Sequence, residues 1–177
     1  MTNTNTPAGN IPAAPRYKAR WLTVCGFLMA MNTVLSSFNI PVPGGHFYLN
    51  DVIIVAAALS LDPLGAFLVG GVGAFLGDFF FYPLPMFVSL ATHGLEAVFI
   101  SLFARRYGKK NLLLTFFGVF LGALIVVIGY SLGRAYVYST PEYSLIKLPF
   151  EILQAGIGAI LGAFIWKNRN MGDIIRK

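Results

Sequence analysis

Residues 61–106 decide the fold, and they read LDPLGAFLVGGVGAFLGDFFFYPLPMFVSLATHGLEAVFISLFARR. Two apolar runs, Leu64–Tyr82 and Met86–Ala104, flank the turn Pro83–Pro85. A helix of about 20 apolar residues crosses a hydrocarbon core about 30 Å thick, and each run approaches that length. This stretch therefore predicts two transmembrane helices joined by a proline turn.

The apolar pattern extends to both sides of that stretch. The chain is 56% hydrophobic and only 11% charged, whereas a soluble domain carries about 25% charged residues. We predict an all-α integral membrane protein, a bundle of six transmembrane helices. The predicted helices are Trp21–Phe38, Asn50–Leu61, Leu64–Tyr82, Met86–Ala104, Leu112–Tyr136 and Ile146–Trp166.

The second predicted helix is the weakest span. Twelve residues make only about 18 Å of helix, and Asp62 before Pro63 ends it because the residue before proline disfavours α geometry. A re-entrant helix 2 would place the N terminus and the loop at 105–110 on opposite sides of the membrane. The basic residues oppose that arrangement, so six spans are favoured.

The net charge of +6 is concentrated beside the apolar runs. Under the positive-inside rule such clusters mark cytoplasmic ends, so both termini are predicted to be cytoplasmic and no nucleic-acid partner is implied. Trp21 and Trp166 are expected to mark the same interface. The three clusters are Arg16, Lys18 and Arg20; Arg105, Arg106, Lys109 and Lys110; and Lys167, Arg169, Arg176 and Lys177.

Polar residues gather at one depth of the predicted bundle. With helices 1, 3 and 5 running outward, five helices place ionisable or amide side chains in the outer half of the membrane. Such groups are costly in lipid and usually face a cavity, a partner or a substrate path. We therefore predict a polar cavity that opens outward. The residues are Asn50, Asp51, Asp78, His93, Glu96, Tyr130, Arg134, Glu151 and Gln154.

Purely structural roles remain open for the same side chains. Asp51 can cap helix 2, and Arg134 can reach the outer interface or pair with Glu142. The i, i+3 pair His93 and Glu96 can satisfy each other inside the bundle. Asp78 and Glu151 can be partners across the bundle. The aromatic run Phe79–Tyr82 is typical of an interfacial belt, in which one ring can still stack on a ligand.

The connection from Asn39 to Tyr48 holds two glycines beside aromatic and imidazole groups, His46, Phe47 and Tyr48. This composition suits a lid that closes over a planar ligand, or an ordinary connector.

Small residues four apart recur along the helices and allow close backbone approach in lipid. We expect most pairs to pack inside the bundle, and the helix 1 pair to dock against another membrane protein. The pairs are Gly26 and Ala30, Gly73 and Gly77, Gly118 and Gly122, Gly129 and Gly133, and Gly158 and Gly162.

Four stretches carry a family resemblance: PGGHFYLND at 43–51, LSLDPLGAFLVGGVGAFLGDFFFYP at 59–83, THGLEA at 92–97 and LPFEILQAGIGAILGA at 148–163. In this order they resemble the S components of energy-coupling factor (ECF) vitamin transporters, in the branch for riboflavin, hydroxymethylpyrimidine or pyridoxine. The most specific pieces are the glycine-rich third helix and the Pro-Phe pair taken to open helix 6.

The resemblance implies a vitamin-binding subunit of a prokaryotic cytoplasmic membrane. It implies as partners a transmembrane coupling subunit, docked at Gly26 and Ala30, and two cytoplasmic ATPases that use the ATP. Riboflavin-type members often have Asn where this chain has Glu151, which favours a smaller pyridine or pyrimidine vitamin. The domains are then a flexible tail at 1–20, a six-helix substrate-binding domain at 21–167 and a basic tail at 168–177.

The predicted ligand-binding residues combine the polar set, without Arg134, and the loop residues His46, Phe47 and Tyr48. No GxxxxGK[ST] motif occurs, so this chain is not expected to be an ATPase or to bind a cofactor. His46 and His93 are the only histidines and no HExxH motif occurs, so no metal is expected. The alternatives are an S component for riboflavin or another vitamin, a proton-coupled carrier, and a small membrane enzyme with His93 and Glu96 as an acid–base pair.

Overall fold

The structure is a computed structural model that describes residues 16–169. Within that range the chain forms six helices and one β-hairpin. The hairpin pairs β1 (Ile40–Val42) with β2 (Gly45–Phe47) in antiparallel register. The helices are α1 (Arg16–Leu35), α2 (Asp51–Ser60), α3 (Pro63–Phe81), α4 (Met86–Arg106), α5 (Leu112–Tyr138) and α6 (Pro141–Arg169).

Four of these helices are long and apolar enough to cross a membrane: α3, α4, α5 and α6 over Pro141–Asn168. Two apolar helices are shorter, Ala19–Leu35 within α1 and Asp51–Ser60. The protein is therefore a helical multi-pass membrane protein. Of the tails predicted at 1–20 and 168–177, residues 16–20 belong to α1 and residues 168–169 to α6. The remaining residues, 1–15 and 170–177, lie outside the described part of the chain.

The short α2 lies at the centre of the bundle. Residues 54–59 are all buried, and a helix that is apolar on every side is stable only when other elements surround it. Its end is the predicted one: Leu61 leaves helical geometry, and Asp62 caps α3 by accepting a hydrogen bond from Gly65 N at 3.3 Å. Because other parts of the protein surround α2, a helix of only ten residues is stable there.

Small residues bring the helices close together, as predicted for most of the pairs. A β-carbon at Gly162 of α6 would lie 2.7 Å from Val55 Cβ, and one at Gly129 of α5 would lie 2.6 Å from Thr92 Oγ1. Gly73 and Gly77 face α1, Gly118 and Gly122 face α4, and Gly158 faces α2. These four pairs are internal packing positions, and their prediction is confirmed.

The helices alternate in direction, which gives the bundle two distinct ends. At one end, Trp21 Nε1 donates to Asp62 Oδ1 at 2.7 Å and Ser101 Oγ donates to Leu61 O at 2.8 Å; we call this the tryptophan end. Trp166 lies at the same end, but it is buried in the apolar core and is not exposed at an interface. The opposite end carries the β-hairpin, and we call it the hairpin end.

The described basic residues of all three clusters lie at the tryptophan end, beside the start of α1, the α4–α5 connection and the end of α6. They are exposed, as expected for interfacial charges. These residues are Arg20, Arg105, Arg106, Lys110 and Lys167.

Two helices, α1 and α6, and one connection differ most from the sequence prediction. Helix α6 begins at Pro141, not Ile146, so Pro149 lies inside the helix and does not open it. Proline is favoured in the first helical turn, and Pro141, not Pro149, takes that position. Helix α1 begins at Arg16 and ends at Leu35. The connection predicted as a plain loop contains a hairpin of two three-residue strands.

Candidate functional site

A cavity of about 80 Å³ lies at the hairpin end. Six of the predicted ligand-binding residues line it from α2 to α6: Asn50, Asp78, His93, Tyr130, Glu151 and Gln154. The hairpin and the residue after it contribute His46 and Tyr48. Five helices and a hairpin thus converge on one space. The remaining predicted residues, Asp51, Glu96 and Phe47, do not line it.

The most highly charged wall is built around Glu151. Arg134 Nη1 donates to Glu151 Oε2 at 3.0 Å, and Lys147 Nζ donates to the same oxygen at 3.1 Å. All three side chains are buried. Lys147 is one helical turn before Glu151, so the two share a face of α6. Two cations therefore meet one carboxylate at the cavity wall.

Arg134 reaches this position from an irregular turn of α5. Residues Arg134–Tyr138 widen into a π-helical turn, a distortion that often marks functional sites. The turn directs both Arg134 and Tyr138 into the cavity lining, with Arg134 Cζ 5.6 Å from the centre of the Tyr138 ring. The proposed pairing of Arg134 with Glu142 is wrong, because Glu142 is exposed and Arg134 binds Glu151.

A second polar chain joins α3, α4 and α5. Tyr130 Oη donates to Ser89 Oγ at 2.6 Å, and Ser89 Oγ in turn donates to Asp78 Oδ2. This arrangement fixes Asp78 at the cavity wall through neutral hydroxyl groups. The proposed direct pairing of Asp78 with Glu151 is wrong, since each has other partners.

His93 forms the floor of the cavity, with carboxylates behind it. Its Nδ1 lies 2.9 Å from Glu96 Oε2, and its Nε2 lies 3.6 Å from Asp51 Oδ1. Gln154 Nε2 donates to Asp51 Oδ2 at 3.0 Å. The predicted internal pairing of His93 with Glu96 is confirmed. Asp51 is not the N-cap of α2, which is Asn50; it belongs to this buried cluster instead.

The same cluster has the spacing of a metal site. Ligand atoms of Asp51, His93 and Glu96 lie within 4.8 Å of one another, and all three residues are buried. A carboxylate on the second ring nitrogen is also how a ligating histidine is commonly oriented. The hydrogen bond between His93 and Glu96 nevertheless accounts for their closeness without an ion.

The hairpin covers the cavity through its glycines, together with Tyr48, the residue that follows the hairpin. Gly44 and Gly45 have φ of +81° and +155°, and a β-carbon at Gly44 would lie 2.9 Å from Lys147 Cβ. Tyr48 N donates to Gln154 Oε1 at 3.0 Å. Burial, followed by the nearby charge of Asp78, raises the pKa of the Tyr48 hydroxyl, so this group remains a hydrogen-bond donor.

Aromatic residues at the end of α3 divide into two groups. Phe79, Phe80 and Phe81 are exposed, as expected for an interfacial belt. Tyr82 turns inward and lines the cavity, where its ring centre lies 5.1 Å from that of His46. One ring of the predicted belt therefore belongs to the candidate site.

Sequence reasoning missed Lys147, Tyr138 and Ser36 as lining residues, and gave Arg134 no ligand-binding role. For Lys147 a signal was present, because its spacing of four residues from Glu151 places both on one helical face. For Tyr138 there was none, since the π-helical turn that directs it inward has no distinct sequence pattern. Ser36 follows the last residue of α1.

The predicted docking pair lies on the outer surface of the bundle. Gly26 and Ala30 of α1 are both exposed, and a β-carbon at Gly26 would meet no atom within 4 Å among the described residues. This pair therefore differs from the four internal pairs, and it leaves a flat strip on α1.

The fold and the cavity define a class of protein: a small helical membrane protein with a polar cavity beneath a hairpin. Residues 16–170 match the family described as ECF-type riboflavin transporter, S component, and the chain belongs to that family. It is therefore a vitamin-binding subunit of a membrane transporter that works with an ECF module, and it is not an enzyme. No curated protein sequence matches it.

Proposed function

We propose that the chain is the high-affinity vitamin-binding subunit of an ATP-driven importer, and that its ligand occupies the cavity at the hairpin end. The observation that carries this proposal is the convergence of polar side chains from five helices beneath a hairpin, in a chain of the S-component family. Buried polar groups select a ligand strongly, because a wrong ligand leaves them unpaired.

The substrate in this proposal is a small pyridine or pyrimidine, such as pyridoxine or hydroxymethylpyrimidine. The cavity of about 80 Å³ is small beside the roughly 300–1,000 Å³ of typical ligand sites. Carboxylate, imidazole and cationic groups around it suit a ring with polar substituents, and Tyr82 or Tyr48 can stack on that ring. Riboflavin, which the family description names, is the alternative.

The hairpin is the lid in this proposal. Its glycines lie against α6, and Tyr48, the residue after the hairpin, donates from its backbone N to Gln154. Any ligand larger than the cavity therefore enters only if the hairpin lifts. Lids of this kind sequester a ligand from water. The conformational freedom of Gly44 and Gly45 then supplies the hinge.

The test of the ligand is direct. The protein is purified in detergent and denatured, and the small molecule that it releases is identified by mass spectrometry. Calorimetry then compares pyridoxine, 4-amino-5-hydroxymethyl-2-methylpyrimidine and riboflavin. Tightest binding of either small ring supports the proposed substrate, and tightest binding of riboflavin supports the alternative. Absence of binding by all three contradicts the proposal.

The assembly we propose has six transmembrane spans in a prokaryotic cell membrane, with the tryptophan end in the cytoplasm. The exposed Gly26–Ala30 strip docks on a transmembrane coupling subunit that carries two ATPases. In a variant lacking Cys25, cysteines at Pro43 and Glu142, which are both exposed at the hairpin end, should react with an impermeant thiol reagent from outside. A cysteine at Asn168 should need a permeant reagent. The opposite pattern contradicts this orientation, and transport by the chain alone contradicts the partnership.

A further inference from the structure

The wall around Glu151 has one more positive charge than it has negative charges. Arg134 and Lys147 both donate to a single carboxylate oxygen, Glu151 Oε2, and that carboxylate carries one charge. An unbalanced buried cation is unfavourable, and more so at membrane depth. Asp78, the other carboxylate of the cavity lining, is held by Ser89 on another helix. Asp51 lies behind the cavity lining, where Gln154 donates to it. Arg134 and Lys147 therefore share Glu151 as their direct carboxylate partner, and one positive charge is left without a directly paired carboxylate at the cavity wall.

Hydrogen-bond donors without partners surround the same wall. Among residues 16–169, the buried hydroxyl groups of Tyr48 and Tyr138 have no hydrogen-bond partner, and both residues line the cavity. Tyr138 lies beneath the Arg134 guanidinium. A phenolic hydroxyl donates readily to an anionic oxygen, and hydrogen bonds to charged acceptors are the strong ones. Two cations and two free hydroxyls thus form a cluster of donors.

Resting on the proposed function, we propose that this cluster binds an anionic oxygen group of the ligand, either a carboxylate or an oxygen ionised on the ring. The ligand is then a small heteroaromatic compound that carries such a group. Asp78 and His93 lie on the other walls of the cavity, where they accept hydrogen bonds from the opposite edge of the ligand or donate hydrogen bonds to it. Pyridine carboxylates and 3-hydroxypyridines have this chemistry, since the latter ionise to a ring oxide with a protonated ring nitrogen. Neutral aminopyrimidines and riboflavin lack it.

Two matched pairs of probes test this inference on the full chain in detergent. The pairs are nicotinate with nicotinamide, and pyridoxine with 3-deoxypyridoxine, in which the ring hydroxyl is replaced by hydrogen. In calorimetry, the member with the ionisable oxygen should bind about 10- to 100-fold more tightly than its partner in at least one pair. Equal or weaker binding in both pairs overturns the inference.

Variants then assign the effect to the cluster. Arg134→Gln and Lys147→Met should each weaken binding of the member with the ionisable oxygen more than binding of its neutral partner, so that the preference within the pair shrinks or disappears. Arg134→Lys, which keeps the charge, should retain part of the preference. The control is Arg105→Gln, an exposed arginine at the tryptophan end. If Arg134→Gln weakens both members of a pair equally, the cluster does not read the anionic group. If that variant fails to fold, the comparison in the unmodified protein decides alone.

The outcomes also separate this inference from the proposed function. Tight binding of hydroxymethylpyrimidine or riboflavin, with no preference in either pair, overturns only the anionic-group inference. Absence of binding by every compound overturns both.

Discussion

The two ends of the bundle are built from the same helices, but apolar side chains are buried at one end and polar or charged side chains at the other. The tryptophan end is held by a continuous aliphatic cluster, whereas the hairpin end buries cations, carboxylates, an imidazole and several hydroxyl groups. The residues of the aliphatic cluster are Ile54, Val55, Ala58, Leu59, Ala66, Ala97, Ile100, Val119 and Trp166. Asp51, His93, Lys147 and Glu151 at the hairpin end are each no more than 2% exposed.

This difference separates stability from binding. Apolar side chains and glycines pack the tryptophan end closely, and such packing costs nothing in desolvation. Buried charges stabilise a fold poorly, because the loss of hydration offsets their attraction. Their concentration at one end, around a cavity, supports the proposal that they bind the ligand. Four predictions can break or sharpen this division, and they are taken from the largest expected effect to the smallest.

The largest effect is expected where helices touch at the tryptophan end. A β-carbon at Gly162 would lie 2.7 Å from Val55 Cβ and 2.9 Å from Val52 O, and backbone cannot move aside cheaply. Gly162→Leu should therefore abolish the folded, monodisperse protein in fluorescence-detected size-exclusion chromatography. The matched control is Gly156→Leu on the same helix, where a β-carbon meets no atom within 4 Å among the described residues. Equal behaviour of the two variants would show that close packing is not what holds α2 against α6.

The next variants act on the outer strip of α1. Gly26→Leu and Ala30→Leu should abolish uptake and co-purification of the ATPase subunits while the isolated chain binds ligand normally. The physical reason is that bulky groups on an exposed strip disturb a partner, not the bundle. Ala91→Leu adds the same bulk to another exposed alanine, on α4, and serves as the control. Normal assembly of both α1 variants would place the interface elsewhere.

At the hairpin end, substitutions should weaken binding and spare the fold. Asp78→Asn and His93→Gln each remove a charge or an imidazole from the cavity wall. A hydrogen bond to a charged group is worth about 1.5–3 kcal/mol, so affinity measured by calorimetry should fall about 10- to 100-fold. Lys110→Gln, exposed at the other end, is the control. If both variants bind like the control, the cavity does not hold the ligand.

The sequence predicted the helices well because each apolar run is bounded by proline or charge. Asp62-Pro63 and Pro83–Pro85 ended their helices as expected. Pro149 was misleading, since a proline eight residues into a long helix looks the same in sequence as one in the first turn. The hairpin was missed because its strands have three residues each, too few to show the alternation that reveals a strand.

The candidate site was predicted in its location, but of its pairings only that of His93 with Glu96 was predicted. Helix direction and depth were enough to place Asp78, His93 and Glu151 near one another. The spacing of Lys147 and Glu151 was compatible with their contact. Helix direction and depth could not show that Arg134 joins them, because that contact depends on the π-helical turn that carries Arg134. Pairing is a property of side-chain direction, which periodicity alone does not resolve.

The smallest effect is expected one layer behind the cavity, at Glu96. This residue does not line the cavity; it holds His93 Nδ1 at 2.9 Å. Glu96→Gln keeps a hydrogen-bond acceptor but loses the charge. The hydrogen bond that orients the imidazole should therefore weaken by about 1 kcal/mol, which corresponds to a roughly fivefold loss of ligand affinity. Ser101→Ala is the matched control, because it removes a buried hydrogen bond to Leu61 O at the tryptophan end. That variant should lower the melting temperature and leave affinity unchanged. If Glu96→Gln does the same, Glu96 supports only the fold, and the boundary between the stabilising and the ligand-binding end runs directly behind His93.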